Sequence, residues 1–206
     1  MKQEHNYLDS SIWYKEEIKD PYQTFAEYFS AADLVSHKKT VKEALNAASS
    51  DHIWGKRNPG DLLFSLGQLE SIINAAFIIN KEKKKSPLFI ENDSLIDPNL
   101  FRGWIGGVTD WDYFPRMLSL KEYKDPYAAF KRFFKFQTLE EWKTDLQTIS
   151  EYALVKTSLF EACIEIDTLS IYIHLTKLIE AAHLIDVREN THIGGHIKNR
   201  LGVKHF

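Results

Sequence analysis

The sequence predicts an all-α protein: two tandem, diverged three-helix repeats packed as a pseudo-two-fold six-helix bundle. Three observations predict it. Lys-Asp-Pro-Tyr stands at 19–22 and returns at 124–127, with Phe25 and Phe130 at the same offset. The register then continues, because Phe29, Leu34, Lys38 and Ala48 meet identical residues at Phe134, Leu139, Lys143 and Ala153. After one inserted residue, segment 61–80 lies over 167–186 with seven of twenty positions identical, too many for chance resemblance of a tetrapeptide. Finally, strand signals are confined to PLFIE (87–91) and GWIGGV (103–108), both inside a Pro/Gly-punctuated connector.

Each repeat divides into three helices. Asp-Pro at 20–21 and 125–126 supplies an N-cap followed by Pro at the first helical position, where a missing N–H costs nothing. The first helix is expected over 20–31 and 125–136, with Phe25, Tyr28 and Phe29, and then Phe130, Phe133 and Phe134, at i, i+3, i+4 spacing. The second helix, 34–50 and 139–155, starts from Asp33 in one copy and from a Thr138/Glu141 capping box in the other. The third is expected over 61–83 and 159–187. WGKRNPG (54–60) precedes the first copy, and a Ser158/Glu161 capping box marks a hidden break before the second. The organisation is therefore repeat 1 (about 15–85), a connector (86–119), repeat 2 (about 120–188) and a tail (189–206) in one helical domain.

With 206 residues, 44% hydrophobic and 13% aromatic, the chain has material for a full core and does not read as disordered. A net charge of −3 supplies no basic field for nucleic acid, so such a partner is not favoured. One cysteine, Cys163, excludes an internal disulfide and a Cys-rich zinc site. The N-terminus has no signal-peptide core, and no apolar run approaches the roughly 18–20 residues that span a bilayer. A soluble, cytoplasmic protein without membrane contact is expected.

Candidate sites concentrate in the second repeat. Asp167 and His174 lie seven apart, on the helix face that would also carry Phe160, Ile164 and Ile171. Asp61 and Gln68 repeat that pattern, so antiparallel third helices would bring Asp61 to His174 and Asp167 to Gln68. Such a pair is either a buried acid–base or metal site at the centre of the bundle or a polar pair that sets helix register. Glu180-x-x-His183 is half of the di-iron signature of ferritin-like bundles, but Asn74 and Phe77 stand where the partner motif is due. Glu161, Glu165, Tyr172, Thr176 and His183 lie along one stripe of this helix, a solvated face or the lining of a cleft. Five of eight histidines fall between 174 and 205, so a metal site would draw on His183, His192, His196 and His205. Arg200 and His205 have the Arg-x4-His spacing that resembles that of helical HEPN-type ribonucleases, although they follow a glycine in the tail rather than sitting in a core helix. The connector carries Trp104 among, and Trp111 and Tyr113 just after, the glycines at 103, 106 and 107, a recognition loop or a strap across both halves.

P-loop, dinucleotide, nucleophile-elbow and zinc-protease motifs are missing. The expectation is a non-enzymatic helical binding or interaction protein, arisen by duplication, without a cofactor, whose partner is a protein or a small molecule. The alternatives are a small metalloprotein or hydrolase using Asp167, His174, Glu180 and His183, and an RNA-linked protein using Arg200 and His205.

Overall fold

A computed structural model describes residues 8–55, 58–83, 85, 90–103 and 109–189, together with the backbone of 192–193 and 196–197. The described residues are mostly helical, as the periodicity predicts. Helix α1 (Pro21–Ala31) starts where the Asp20 carboxylate accepts from the amides of Tyr22 and Gln23, with Pro21 at the first position. Helix α2 (Leu34–Ala48) is capped by Asp33, which accepts from Ser36 N at 2.8 Å. Helix α3 (Pro59–Lys81) is capped by Asn58.

The connector holds two short 3-10 turns, Asn92–Ser94 and Pro98–Leu100, then α4 (Asp110–Tyr113) and α5 (Leu120–Lys124). Helix α5 changes the entry of the next element. Asp125 closes α5, and α6 (Tyr127–Phe136) opens with i→i+3 bonds from Ala128 N to Asp125 O and Ala129 N to Pro126 O. The second Asp-Pro therefore does not repeat the open cap of the first. Helix α7 (Leu139–Ala153) begins with the Thr138/Glu141 capping box.

The start of the last helix corrects the expected span. The Ser158/Glu161 bonds do form, but they open a single turn. Cys163 adopts a left-handed conformation (φ 55°), and Ile164 N and Cys163 N return to Leu159 O and Phe160 O, a Schellman stop. Ile164 and Ile166 then face the core with Glu165 between them exposed, so this stretch runs extended. Helix α8 (Thr168–Glu189) starts only at Asp167.

Two small hairpins were not legible in the sequence. β1 (Asp9–Ser10) pairs antiparallel with β2 (Glu16–Glu17). β3 (His192–Ile193) pairs with β4 (His196–Ile197) and lies beside α1.

Helix α3 packs against α1, α6 and α7, while α8 packs against α1, α2 and α6. Helices α2 and α7 also pack on each other. Two backbone bonds stitch the ends of this pair: Trp54 N donates to Ala153 O (2.8 Å), and Leu159 N donates to Ala48 O (2.9 Å). The rings of Phe25 and Phe130 meet edge-on at 5.9 Å in the core. By length and composition α3 is apolar enough to cross a membrane, which corrects the expectation that no run approaches that size. Its Leu66, Leu69, Ile72, Ile73 and Ile79 are buried in this core. Hairpin β1–β2 covers one side of α3, and the connector covers α8.

Candidate functional site

The polar stripe of α8 is neither a solvated face nor a cleft wall. Thr176, Glu180, His183 and Arg188 are all buried. Their partners are mostly backbone groups of the connector. The Glu180 carboxylate accepts from Arg116 N (3.1 Å), Met117 N (2.9 Å) and Lys38 Nζ (2.7 Å). His183 Nε2 lies 3.0 Å from Phe101 O. Its ring stacks on Tyr113 (5.5 Å between centroids, 15°) and meets Phe29 edge-on at 4.9 Å. Arg188 donates through Nε to Leu100 O and through Nη1 to Tyr123 O, and its guanidinium sits 4.6 Å from the Tyr123 ring. Burial lowers the Arg188 pKa.

The connector is thus a strap whose unsatisfied amides and carbonyls are met by side chains of α8. Gly103 is needed under it, because a Cβ there would stand 2.3 Å from the Tyr113 ring.

A second buried carboxylate, Glu122, anchors the other end of the strap. It accepts from Ser119 N and Oγ (2.8 and 2.7 Å), Arg132 Nη1 (2.9 Å) and Lys177 Nζ (3.4 Å). Burial pushes its pKa up, but the Ser119 hydrogen bonds and the Lys177 and Arg132 charges outweigh that and hold it below the usual range. Near the end of α8, Tyr127 donates to Glu189, and the Tyr22 and Tyr127 hydroxyls lie 3.4 Å apart. Burial, then Glu189 and Tyr22, push the Tyr127 phenol up, so it remains a donor.

The expected acid–base pairs do not form. Asp167 is the exposed N-cap of α8, accepting from Ser170 N (3.0 Å) and Ser170 Oγ (2.6 Å), and these bonds lower its pKa. Gln68 is buried, and its Nε2 has no hydrogen-bond partner among the described residues. His174 stacks on Phe136 (4.2 Å, 16°). Burial lowers its pKa, with Lys177 adding to that and Glu122 opposing it. Asp61 is exposed in the first turn of α3. Phe160, expected on the same buried face, is 88% exposed because it precedes α8. The exposed ends of the two helices are thus where both carboxylates sit.

Glu180 and His183 do not share an ion site either, since one holds amides and the other a carbonyl. Among the described residues no three His, Cys, Asp or Glu side chains converge in a metal-ligating group. The β3–β4 register pairs His192 with Ile197 and Ile193 with His196, so these two histidines are not cross-strand partners. Trp104, Arg200 and His205 lie outside the described residues. In the connector, Tyr113 is buried while Trp111 is 57% exposed, its ring against Phe101 and Phe114. Tyr172 packs partly buried against the core. The Phe133 ring of KRFFKF is buried, stacked 4.0 Å from Trp142, so it offers no face to RNA bases.

Among the described residues, an open concavity lies on the α3 side. A groove of about 450 Å³ is lined by Leu8, Phe77, Phe134 and Leu139, with Lys81, Thr138 and Glu140 at its rim. Phe77 and Phe134 meet edge-on at 5.2 Å, and Lys81 Nζ stands 4.3 Å from the Phe77 ring centroid. Sequence reasoning missed this site, since its residues come from four separate elements. It also missed Glu122, although Ser119-x-x-Glu122 spells a capping box. Comparisons with protein-family models, curated proteins and solved structures find no match to this chain.

Proposed function

We propose that the chain is a helical interaction protein that arose by internal duplication and binds its partner through the groove between Phe77 and Phe134. The duplication is supported by contacts that recur between residues 105 or 106 positions apart. Ala48 and Trp54 correspond to Ala153 and Leu159, and the bonds Trp54 N to Ala153 O and Leu159 N to Ala48 O are reciprocal. Reciprocity of this kind is what a two-fold axis imposes. Tyr22 meets its counterpart Tyr127, and Phe25 meets Phe130. His37 stacks on Tyr28 and lies 3.0 Å from its carbonyl, while Trp142 stacks on Phe133 and donates to its carbonyl at 3.4 Å. Phe29 meets His183 as Phe134 meets Phe77, with interplanar angles of 69° and 68°. In this picture α1–α2–α3 and α6–α7–α8 are the two copies of a pseudo-two-fold bundle.

The binding reading rests on one observation: the groove is apolar, open and within the size range of ligand sites. The polar side chains that could have served an enzyme, Glu180 and His183, are engaged with the connector instead. The proposed setting remains the cytoplasm, with α3 acting as a core helix rather than an anchor.

Ligand-observed NMR with p-cresol, the tyrosine side chain as a free molecule, tests the groove. Saturable binding is expected, with amide shifts centred on Phe77, Phe134 and Leu139, and a Leu8→Tyr substitution should remove it by filling the space. Absence of binding, or shifts centred elsewhere, would overturn the reading.

A further inference from the structure

The two halves treat equivalent places differently, and the difference specifies a ligand. On α8, the ring of His183 is covered by Tyr113 and its face toward α1 by Phe29. On α3, Phe77 occupies the place of His183 and Phe134 that of Phe29, at nearly the same separation. The residue 105 positions before Tyr113 is Leu8, which lines the groove beside both rings. The chain that follows touches its helix in both halves, as hairpin β1–β2 in one and as the stretch before α5 in the other: Ser11 N donates to Ser71 Oγ on α3, and Arg116 N, its counterpart, donates to Glu180 on α8. Ser71 aligns with Lys177, so the two contacts fall about one turn apart on their helices, and a leucine enters the α3 groove where an aromatic ring fills the α8 one. Among the described residues no ring takes the place of Tyr113 there, and that place is the open space.

We propose that this groove takes an aromatic side chain carried on a short acidic segment of a partner protein, a mimic of the connector that closes the other half. The inference rests on the groove and duplication readings above. The connector itself supplies the chemistry of the occupant. Its ring-bearing stretch is Thr109-Asp110-Trp111-Asp112-Tyr113, with two carboxylates beside the rings. The groove offers a ring edge and face at Phe77, and of the two charges at its rim, Lys81 and Glu140, it is Lys81, exposed and poised over Phe77, that offers a cation to a carboxylate next to the entering ring. The position equivalent to Lys81 on α8 is Val187, so the cation belongs to the open site alone.

The probe is the peptide acetyl-Thr-Asp-Trp-Asp-Tyr-amide, dye-labelled and titrated against the full chain by fluorescence anisotropy. Saturable binding is expected, weakened at least about tenfold when the peptide tyrosine is replaced by alanine and when Leu8→Tyr fills the groove. Lys81→Met, an exposed change that spares the fold, should weaken it about threefold at low salt and less at high salt. Circular dichroism verifies that each variant is folded. Binding that persists unchanged in Leu8→Tyr, as displacement of the connector over His183 would give, overturns the proposal. So does concentration-dependent dimerisation abolished by Leu8→Tyr, which would make the occupant a second copy of this chain. If p-cresol binds and the peptide does not, this inference fails while the groove reading stands. If neither binds, both fail.

Discussion

Replacing Glu180 with alanine tests the strap directly. The Glu180 side chain is 0% exposed, and its carboxylate is the acceptor for Lys38 Nζ, Arg116 N and Met117 N. Removal leaves two amides facing an apolar void, and a lysine whose side chain is only 19% exposed loses its anion. Breaking a buried ion pair from one side costs about 3–5 kcal/mol. Lys38 can move part-way to water, which lowers that figure, while each amide left dry adds about 1–3 kcal/mol. We expect a net loss of at least about 4 kcal/mol, a large share of the roughly 5–15 kcal/mol that holds a domain folded. Urea unfolding followed by circular dichroism measures the loss. Hydrogen exchange at the Arg116 and Met117 amides reports whether the strap itself has lifted. A loss under about 1 kcal/mol, with both amides still protected, would refute the role assigned to Glu180. Lys38→Met, alone and combined with Glu180→Ala, completes a double-mutant cycle that isolates the ion pair.

His37 gives a pH signature of the opposite charge type. Burial pushes its pKa down to about 4 from an ordinary 6.5, against the opposing effects of the Tyr28 carbonyl and Asp33. Between those values the unfolded chain binds the proton and the folded one does not. Stability is therefore complete above pH 6.5 and falls as pH drops toward 4, by ~3 kcal/mol at the acid end. His37→Phe should flatten that slope in urea titrations across the same window, and an unchanged slope would assign the acid sensitivity to other groups. Gly103→Ala forces a methyl to within 2.3 Å of the Tyr113 ring, so the ring or the strap must shift. A cost of about 1–3 kcal/mol is expected, read as a melting temperature lower by several degrees. An unaltered melting curve would contradict the close packing of Tyr113 over this backbone.

Much of the framework was legible because it depends on neighbours in sequence. Asp20-Pro21, Asp33 and the Thr138/Glu141 box start α1, α2 and α7 where capping chemistry places them. The ring stripes of Phe25, Tyr28 and Phe29, and of Phe130 and Phe133, go to the core as their spacing demands. Local reasoning also misled at Asp125-Pro126, which closes α5 without capping α6, and at Ser158/Glu161. The Ser158/Glu161 cap is real, but a cap only permits a helix, and the left-handed Cys163 ends this one after a turn.

The candidate site divides along the same line. That Glu180 and His183 stand out on α8 was visible when 167–186 is laid over 61–80, where they meet Asn74 and Phe77. Their partners, at Lys38, Phe101, Arg116 and Met117, lie 63 to 142 residues away in the chain, and no spacing rule announces them. The same carboxylate and imidazole would read as ligands in a cleft and read here as anchors under a strap. Burial and the direction of the connector's amides make the difference, and both are properties of packing. Local hydrogen bonds and periodicity, written every three or four residues, decide which segments are helices. Which polar groups are left for chemistry, and which groove is left open, depends on how distant segments cover one another, and only the folded chain decides that.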